Sequence, residues 1–316
     1  MMTVIDAHCD VLSKLLLDPT ICFAGNDSRL DVTKDKLQQA GSAMQCFAIW
    51  ISESLPESNM EQIRTCAELF HSRIIEQAGM VAVRSSEDLQ AAVRAGRPGA
   101  LLTLEGADAL NGRVDHVREL YRLGVRMLGL TWNFANWAAD GVSEPRNGGL
   151  TIKGRRLVKE CDSLGIIIDV SHLAERSFWE VAELSGKAFV ASHSNVFELC
   201  VHARNLNKRQ ITCIAERGGV IGINFFPPFV SANESATIDE VVRHIETVCE
   251  WGGERAAALG ADFDGIGKKV PGLEDPSGYA RLEEALSKRM SAELVERVMF
   301  RNWYEYFVTA LPKSEC

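Results

Sequence analysis

Short runs of consecutive apolar residues recur along the chain and alternate with segments of helical spacing. The runs at Val4–Ala7, Ala43–Ile51, Ala100–Leu104, Arg126–Leu130, Gly165–Val170, Ala188–Ser192, Val220–Asn224 and Ala256–Ala261 read as strands. Their apolar positions are mostly consecutive and do not alternate with polar ones, which is the pattern of strands covered on both faces. A further run, Met80–Val83, reads as a minor strand or part of a loop. Amphipathic segments at Val114–Arg122, Lys153–Leu164, Arg176–Leu184, Lys208–Arg217, Ile238–Trp251, Arg281–Arg289 and Ala292–Thr309 read as helices. Several end in a glycine (Gly124, Gly165, Gly218), the residue that most easily adopts the left-handed cap.

Alternation of this kind, repeated about eight times, predicts an α/β fold closed as a parallel (β/α)8 TIM barrel. A doubly wound open sheet would want a glycine-rich turn after the first strand, and Asp6-Ala7-His8-Cys9-Asp10 is not one. No linker, repeat or low-complexity tract divides the chain, so residues 1–316 are expected to form a single barrel domain. Three longer connections, Asp140–Gly149, Phe225–Ala236 and Gly267–Gly278, each follow a predicted strand and should crowd one end of the barrel.

That same end collects polar residues of one chemical kind. The first strand finishes in His8 and Asp10, the third in Glu105, and later ones in His172, in His193, and in Asp262 and Asp264. His8 and Asp10 lie two residues apart, so an extended chain turns both to one side and Cys9 to the other. Any one such residue is ordinarily a hydrogen-bonded structural group. Gathered on one rim, these charges would be severely unfavourable without a cation. His8, Asp10, Glu105, His172 and His193 make five protein ligands, more than one catalytic zinc takes and enough for two ions sharing a carboxylate. The mixed nitrogen and oxygen set suits zinc first, with manganese or cobalt as substitutes.

The other histidines draw plainer readings. His71 and His244 sit in helical segments as surface or packing residues, His116 has no assigned role, and His202 lies close enough to Arg204 to reach a substrate. Ser171 and Ser192, each beside a histidine, should point to the opposite side of their strands, and there is no Gly-x-Ser-x-Gly elbow.

Composition narrows the class. With 43 acidic against 34 basic residues, a net charge of -9 argues against nucleic acid as a partner. No apolar run is long enough to span a membrane, and no basic-then-apolar leader is visible, which together predict a cytoplasmic protein with no membrane partner. The nine cysteines are odd in number and lack a Cys-x-x-Cys pair, so they read as buried thiols in a reducing compartment.

Taken in order, Asp6-Ala7-His8-Cys9-Asp10, Leu104-Glu105-Gly106, Ile168-Asp169-Val170-Ser171-His172, Ser192-His193-Ser194 and Gly260-Ala261-Asp262-Phe263-Asp264-Gly265 resemble the membrane (renal) dipeptidase family, in its bacterial form. Val270-Pro271-Gly272-Leu273-Glu274-Asp275 and Arg301-Asn302 look like that family too. The resemblance implies a zinc-dependent dipeptidase, a metallopeptidase acting on dipeptides, including those with a C-terminal D-residue, through a hydroxide between two zinc ions. Carried over by motif, His8 and Asp10 would hold one ion, His172 and His193 the other, and Glu105 both. Asp262 would contact the water, and Arg204 would receive the substrate carboxylate.

One position departs. Where mammalian members carry a histidine after Leu-Thr, this chain has Trp132 followed by Asn133. The Trp132 indole N–H, the Asn133 amide or the metal itself could serve the oxygen of the attacked carbonyl, and Trp132 reads equally well as a pocket wall. Phe225-Phe226-Pro227-Pro228-Phe229 reads as loop packing, a pocket wall or a subunit contact of a homodimer. Two rivals stand beside the dipeptidase: another binuclear barrel hydrolase acting on a lactone, cyclic amide or phosphoester, and a non-catalytic metal- and peptide-binding relative.

Overall fold

The structure, a computed structural model, describes residues 2–51, 58–233 and 235–314. Its strands are β1 (Val4–Asp6), β2 (Ser42–Trp50), β3 (Val81–Ala82), β4 (Gly99–Glu105), β5 (Val125–Gly129), β6 (Ile167–Asp169), β7 (Ile221–Ile223) and β8 (Ala257–Leu259). All pairings between them are parallel, in the order β6-β5-β4-β2-β1-β8-β7. The short β3 pairs only with the start of β4, outside that path.

The eighth stave is the segment expected as the strand Ala188–Ser192. It is too irregular to count as a strand, yet single parallel bridges join Val190 to Asp169 and Ala191 to Ile221. Those two bridges close the sheet between β6 and β7, so the (β/α)8 barrel stands with one stave reduced to two residues.

Alternation along the strands sorts side chains into two cores. Ile5, Met44, Cys46, Leu101, Met127 and Ile167 fill the inside of the barrel, while their neighbours Val4, Phe47, Leu102, Leu128 and Ile168 face the surrounding helices. This double burial is why the strands read as unbroken apolar runs. Trp303 and Phe307 of the last helix, Asn302–Ala310, join the inner core, and the Trp303 indole donates to the Leu259 carbonyl at 2.8 Å. The N-terminal end of the barrel is thereby plugged, which leaves the C-terminal ends of the strands open for chemistry.

Helix ends follow the sequence signals. Gly124 and Gly165 adopt left-handed caps, and Asn207 and Thr237 each complete a capping box. The run expected as one helix over Ala292–Thr309 stays helical but widens into a π-turn at Arg297–Arg301. Helices at Val11–Leu17, Lys34–Gln39, Met60–Leu69 and Ser86–Arg94 were not anticipated from the pattern, nor was the single turn Pro227–Val230 within the connection 225–236.

Candidate metal centre

Two buried aspartates set the rim. The Asp6 carboxylate, at the end of β1, accepts the His8 N–H at 2.9 Å, the Ala261 N–H at 3.0 Å and the Tyr279 hydroxyl at 2.6 Å. It thus ties the strand end that bears His8 to the one that leads to Asp262. Across the barrel, Asp169 at the end of β6 accepts the N–H groups of Ser171 and Ser192, both at 2.9 Å. Beyond these anchors the backbone turns sharply: His172 has φ 68° and Asp262 φ 65°, left-handed values rare outside glycine. Such strain is characteristic of functional sites.

These turns bring the expected ligands together in two halves. In the first, His8 Nε2 lies 3.3 Å from Asp10 Oδ2 and 3.8 Å from Asp262 Oδ1. In the second, His172 Nε2 and His193 Nε2 are 2.9 Å apart. Glu105 stands between: Oε2 is 3.6 Å from His8, and Oε1 is 2.9 Å from His172 and 3.5 Å from His193. The mutually close ligand atoms form two sets, His8 with Glu105 and His193, and His8 with Asp10 and Asp262.

The donor set fits cations. His8 Nε2 is buried with no hydrogen-bond partner. In the other half, His172 Nδ1 lies 2.9 Å from Asn133 Oδ1 and His193 Nδ1 2.7 Å from Ser192 Oγ, whose hydroxyl proton goes to Asp169. Both Nδ1 atoms therefore donate, and both Nε2 lone pairs converge on each other and on Glu105 Oε1. Lone pairs aimed at one another are repulsive unless a cation sits among them.

Charge follows the same division. Burial alone would depress His8, but Glu105, Asp10 and Asp262 outweigh it and push its pKa up to about 10. His172 and His193 are held well below the ordinary histidine value by burial, with Arg204 and His8 adding to it. Burial, reinforced by Asp10 and Glu105 against the opposing pull of His8, pushes Asp262 up to about 7.

Arg204 is buried, donates to the His193 carbonyl at 3.0 Å and to Ser194 Oγ at 3.3 Å, and keeps an unpartnered Nε. His202 supports it, its Nδ1 accepting the Arg204 N–H at 3.1 Å. Trp132 packs against His172, with centroids 6.2 Å apart, and edge-on to Trp50 at 5.2 Å. Asn133, expected at the substrate, uses its side-chain oxygen to orient His172.

Known proteins resemble the chain as a whole. Residues 1–309 fit the family described as membrane dipeptidase, peptidase family M19. The chain belongs to that family. It is 32% identical over 227 residues to the dipeptidase tcpJ of Claviceps purpurea, a match covering 71% of this chain and 53% of the fungal protein. A Rhodobacter sphaeroides metallopeptidase, solved with a phosphinate mimic of L-Ala-D-Ala, superposes with a TM-score of 0.89 at 26% identity, covering 98% of this chain and 99% of that one. The metallopeptidase named dipeptidase AC, of family M19, gives 0.90 at 28% identity, with 99% of each chain covered. The M19 dipeptidases are metallopeptidases on a TIM barrel, and that fold is the one seen here. Among the described residues no helix is long and apolar enough to cross a membrane.

Within this M19 frame, several expectations need amending. Asp264 does not reach the centre: it binds Lys14 Nζ at 2.8 Å and the N–H groups of Asp31 and Val32. Ser192 does not point away from its histidine but contacts His193 Nδ1. His244, by contrast, is the packing residue expected, buried and bonded to Val196 and Val230. Four contributors escaped the sequence reading. Asp169 and Ser192 fix His193, and Asn224 donates to Asp262 Oδ2 at 2.8 Å. The fourth is Gly265: a Cβ there would fall on Asp10 Oδ2 and within 2.6 Å of Asp262 Oδ1. The Asp-x-Asp-Gly run carried the only sequence signal for that glycine.

Proposed function

We propose that this chain is a dipeptidase using two zinc ions, with His8 and Asp10 holding one, His172 and His193 the other, and Glu105 both. One barrel, residues 1–316, carries the whole site. The observation that supports this most directly is the Glu105 carboxylate, whose two oxygens face different histidine sets. Bound there, zinc would supply a water acidified from about 15.7 toward about 7 and a Lewis acid for the scissile carbonyl.

The remaining work falls to the protein's own groups. Asp262 Oδ1 faces the centre while Asn224 holds Oδ2, and a pKa pushed up to about 7 suits a carboxylate that takes a proton and returns it to the departing amine. Arg204, with its buried free Nε, binds the C-terminal carboxylate of the substrate, a charge-assisted contact worth about 1.5–3 kcal/mol. An arginine capping that carboxylate leaves little room for a third residue. Trp132 walls the site beside His172. The L-Ala-D-Ala mimic bound by the Rhodobacter sphaeroides relative supports including a C-terminal D-residue among the substrates.

Purified protein should contain about two zinc ions per chain and cleave L,L- and L,D-dipeptides, with activity lost on chelation and restored by zinc. Asp262→Asn should keep its metal and lose turnover by about 10²–10⁴-fold. Metal-loaded protein that cleaves no dipeptide would remove this reading, and a lactonase or phosphoesterase panel would then identify the rival chemistry.

A further inference from the structure

Resting on the dipeptidase reading, we infer that the cavity beside Arg204 receives the side chain of the substrate's C-terminal residue and favours an aliphatic stem ending in a cation, as in lysine. A cavity of about 440 Å³ lies between the connection after β5, the start of the helix Glu175–Leu184 and the segment that carries Arg204. His172 and Arg204 form part of its wall, and both are buried, so the cavity abuts the reacting centre.

The carboxylate and side chain of an amino acid leave the same carbon. A substrate whose carboxylate sits on Arg204 therefore has its last side chain within a bond or two of this space. The wall is amphipathic. Val170 and Leu173 supply apolar surface, while Glu144 and Glu175 supply two carboxylates. Among the described lining residues Arg204 is the one lysine or arginine, and the substrate carboxylate neutralises it.

Nearby basic groups are engaged mainly away from the cavity, although Arg146 also pairs loosely with one oxygen of Glu144. Arg146 lies outside the lining, 3.8 Å from Glu144 Oε1, and is bound to Asp140. Arg176 is paired with Glu180 at 3.1 Å. At the mouth, Asn207 Nδ2 donates to Glu175 Oε1 at 3.2 Å, which leaves that carboxylate's other oxygen for an incoming donor. Long cationic side chains suit such a space because the stem stays on apolar surface while the head meets polar groups.

The test compares kcat/KM for Ala-Lys, Ala-norleucine and Ala-Glu with the zinc-loaded enzyme. Norleucine matches the stem of lysine without its charge. The expected order is lysine above norleucine by about tenfold, with glutamate lowest. In the E144Q/E175Q double variant the lysine-to-norleucine ratio should fall toward one. Equal rates for lysine and norleucine in the unaltered enzyme, or a ratio that survives the double substitution, would overturn the inference and leave the dipeptidase reading intact. No cleavage of any of the three would overturn both.

Discussion

The two halves of the proposed metal centre use the same residue type in opposite ways. On one side His8 is surrounded by carboxylates and carries its proton up to a pKa of about 10. On the other, His172 and His193 face each other, buried and beside Arg204, and are held neutral. Distance from solvent does not separate them, since all three are buried. The neighbours do. The first half gathers negative charge and would release a proton if a cation entered. The second supplies neutral nitrogen donors whose tautomer is fixed from behind by Ser192 and Asn133. In the proposed reading Glu105 belongs to both, and it would couple them.

That coupling sets the largest expected effect. Glu105→Ala removes a carboxylate that lies within 3.6 Å of all three histidines. Metal content should fall in both halves at once, and kcat by at least about three orders of magnitude. If elemental analysis finds one half still fully loaded, the halves are independent and Glu105 is no bridge.

Breaking one half at a time sharpens the comparison. Gly265→Ala places a methyl group against Asp10 Oδ2 and Asp262 Oδ1, so those carboxylates must move. The variant should lose the ion of the acidic half and retain the other, giving about one zinc per chain. Ser192→Ala works on the opposite side. It deletes the hydroxyl between Asp169 and His193 Nδ1, freeing the ring to rotate or change tautomer. Loss of such an outer partner typically lowers metal affinity about 10–100-fold. Competition with a graded chelator should show that loss for one ion of the pair. Two ions weakened equally by either variant would contradict the division into halves.

Much of this arrangement was legible in the chain, for a physical reason. A strand buried on both faces must be apolar along its length, so the metal-competent residues just past each run mark the C-terminal rim of the barrel. That is how His8, Glu105, His172, His193 and Asp262 could be named together. The same logic failed for Ser192. Its segment makes only single bridges at Val190 and Ala191, and the two-residue alternation of a regular strand does not govern it. Asp264 misled for a related reason: with φ 67° it leaves the extended path, and its carboxylate turns to Lys14. Asn224 and Gly265 were hidden because their roles lie in contacts between distant segments. The helix Ser86–Arg94 had its signal in the Ser85–Asp88 capping box, but its apolar stripe is short, with Leu89 and Ala92 buried and Val93 partly so.

The smallest effect expected is one of stability, and it too divides the halves. A histidine whose pKa is raised on folding stabilises the fold below its unfolded value and loses that contribution as pH rises through the folded one. For His8 the window runs from 6.5 to about 10. His172 and His193 are depressed, so their contribution is present above 6.5 and lost as pH falls below it. Asp262, raised from 3.8 to about 7, loses stability across that interval and partly offsets the two imidazoles on the acid side. Within this cluster the alkaline limb between about pH 7 and 10 therefore belongs to His8. Chelated protein should melt several degrees lower at pH 9.5 than at pH 7, and His8→Gln should flatten that limb. With zinc bound the slope should reverse, because a cation at His8 competes with the proton and gains as pH rises. A chelated protein whose Tm stays level from pH 7 to 10 would mean that the carboxylates around His8 do not hold its proton, and the contrast between the halves would then rest on geometry alone.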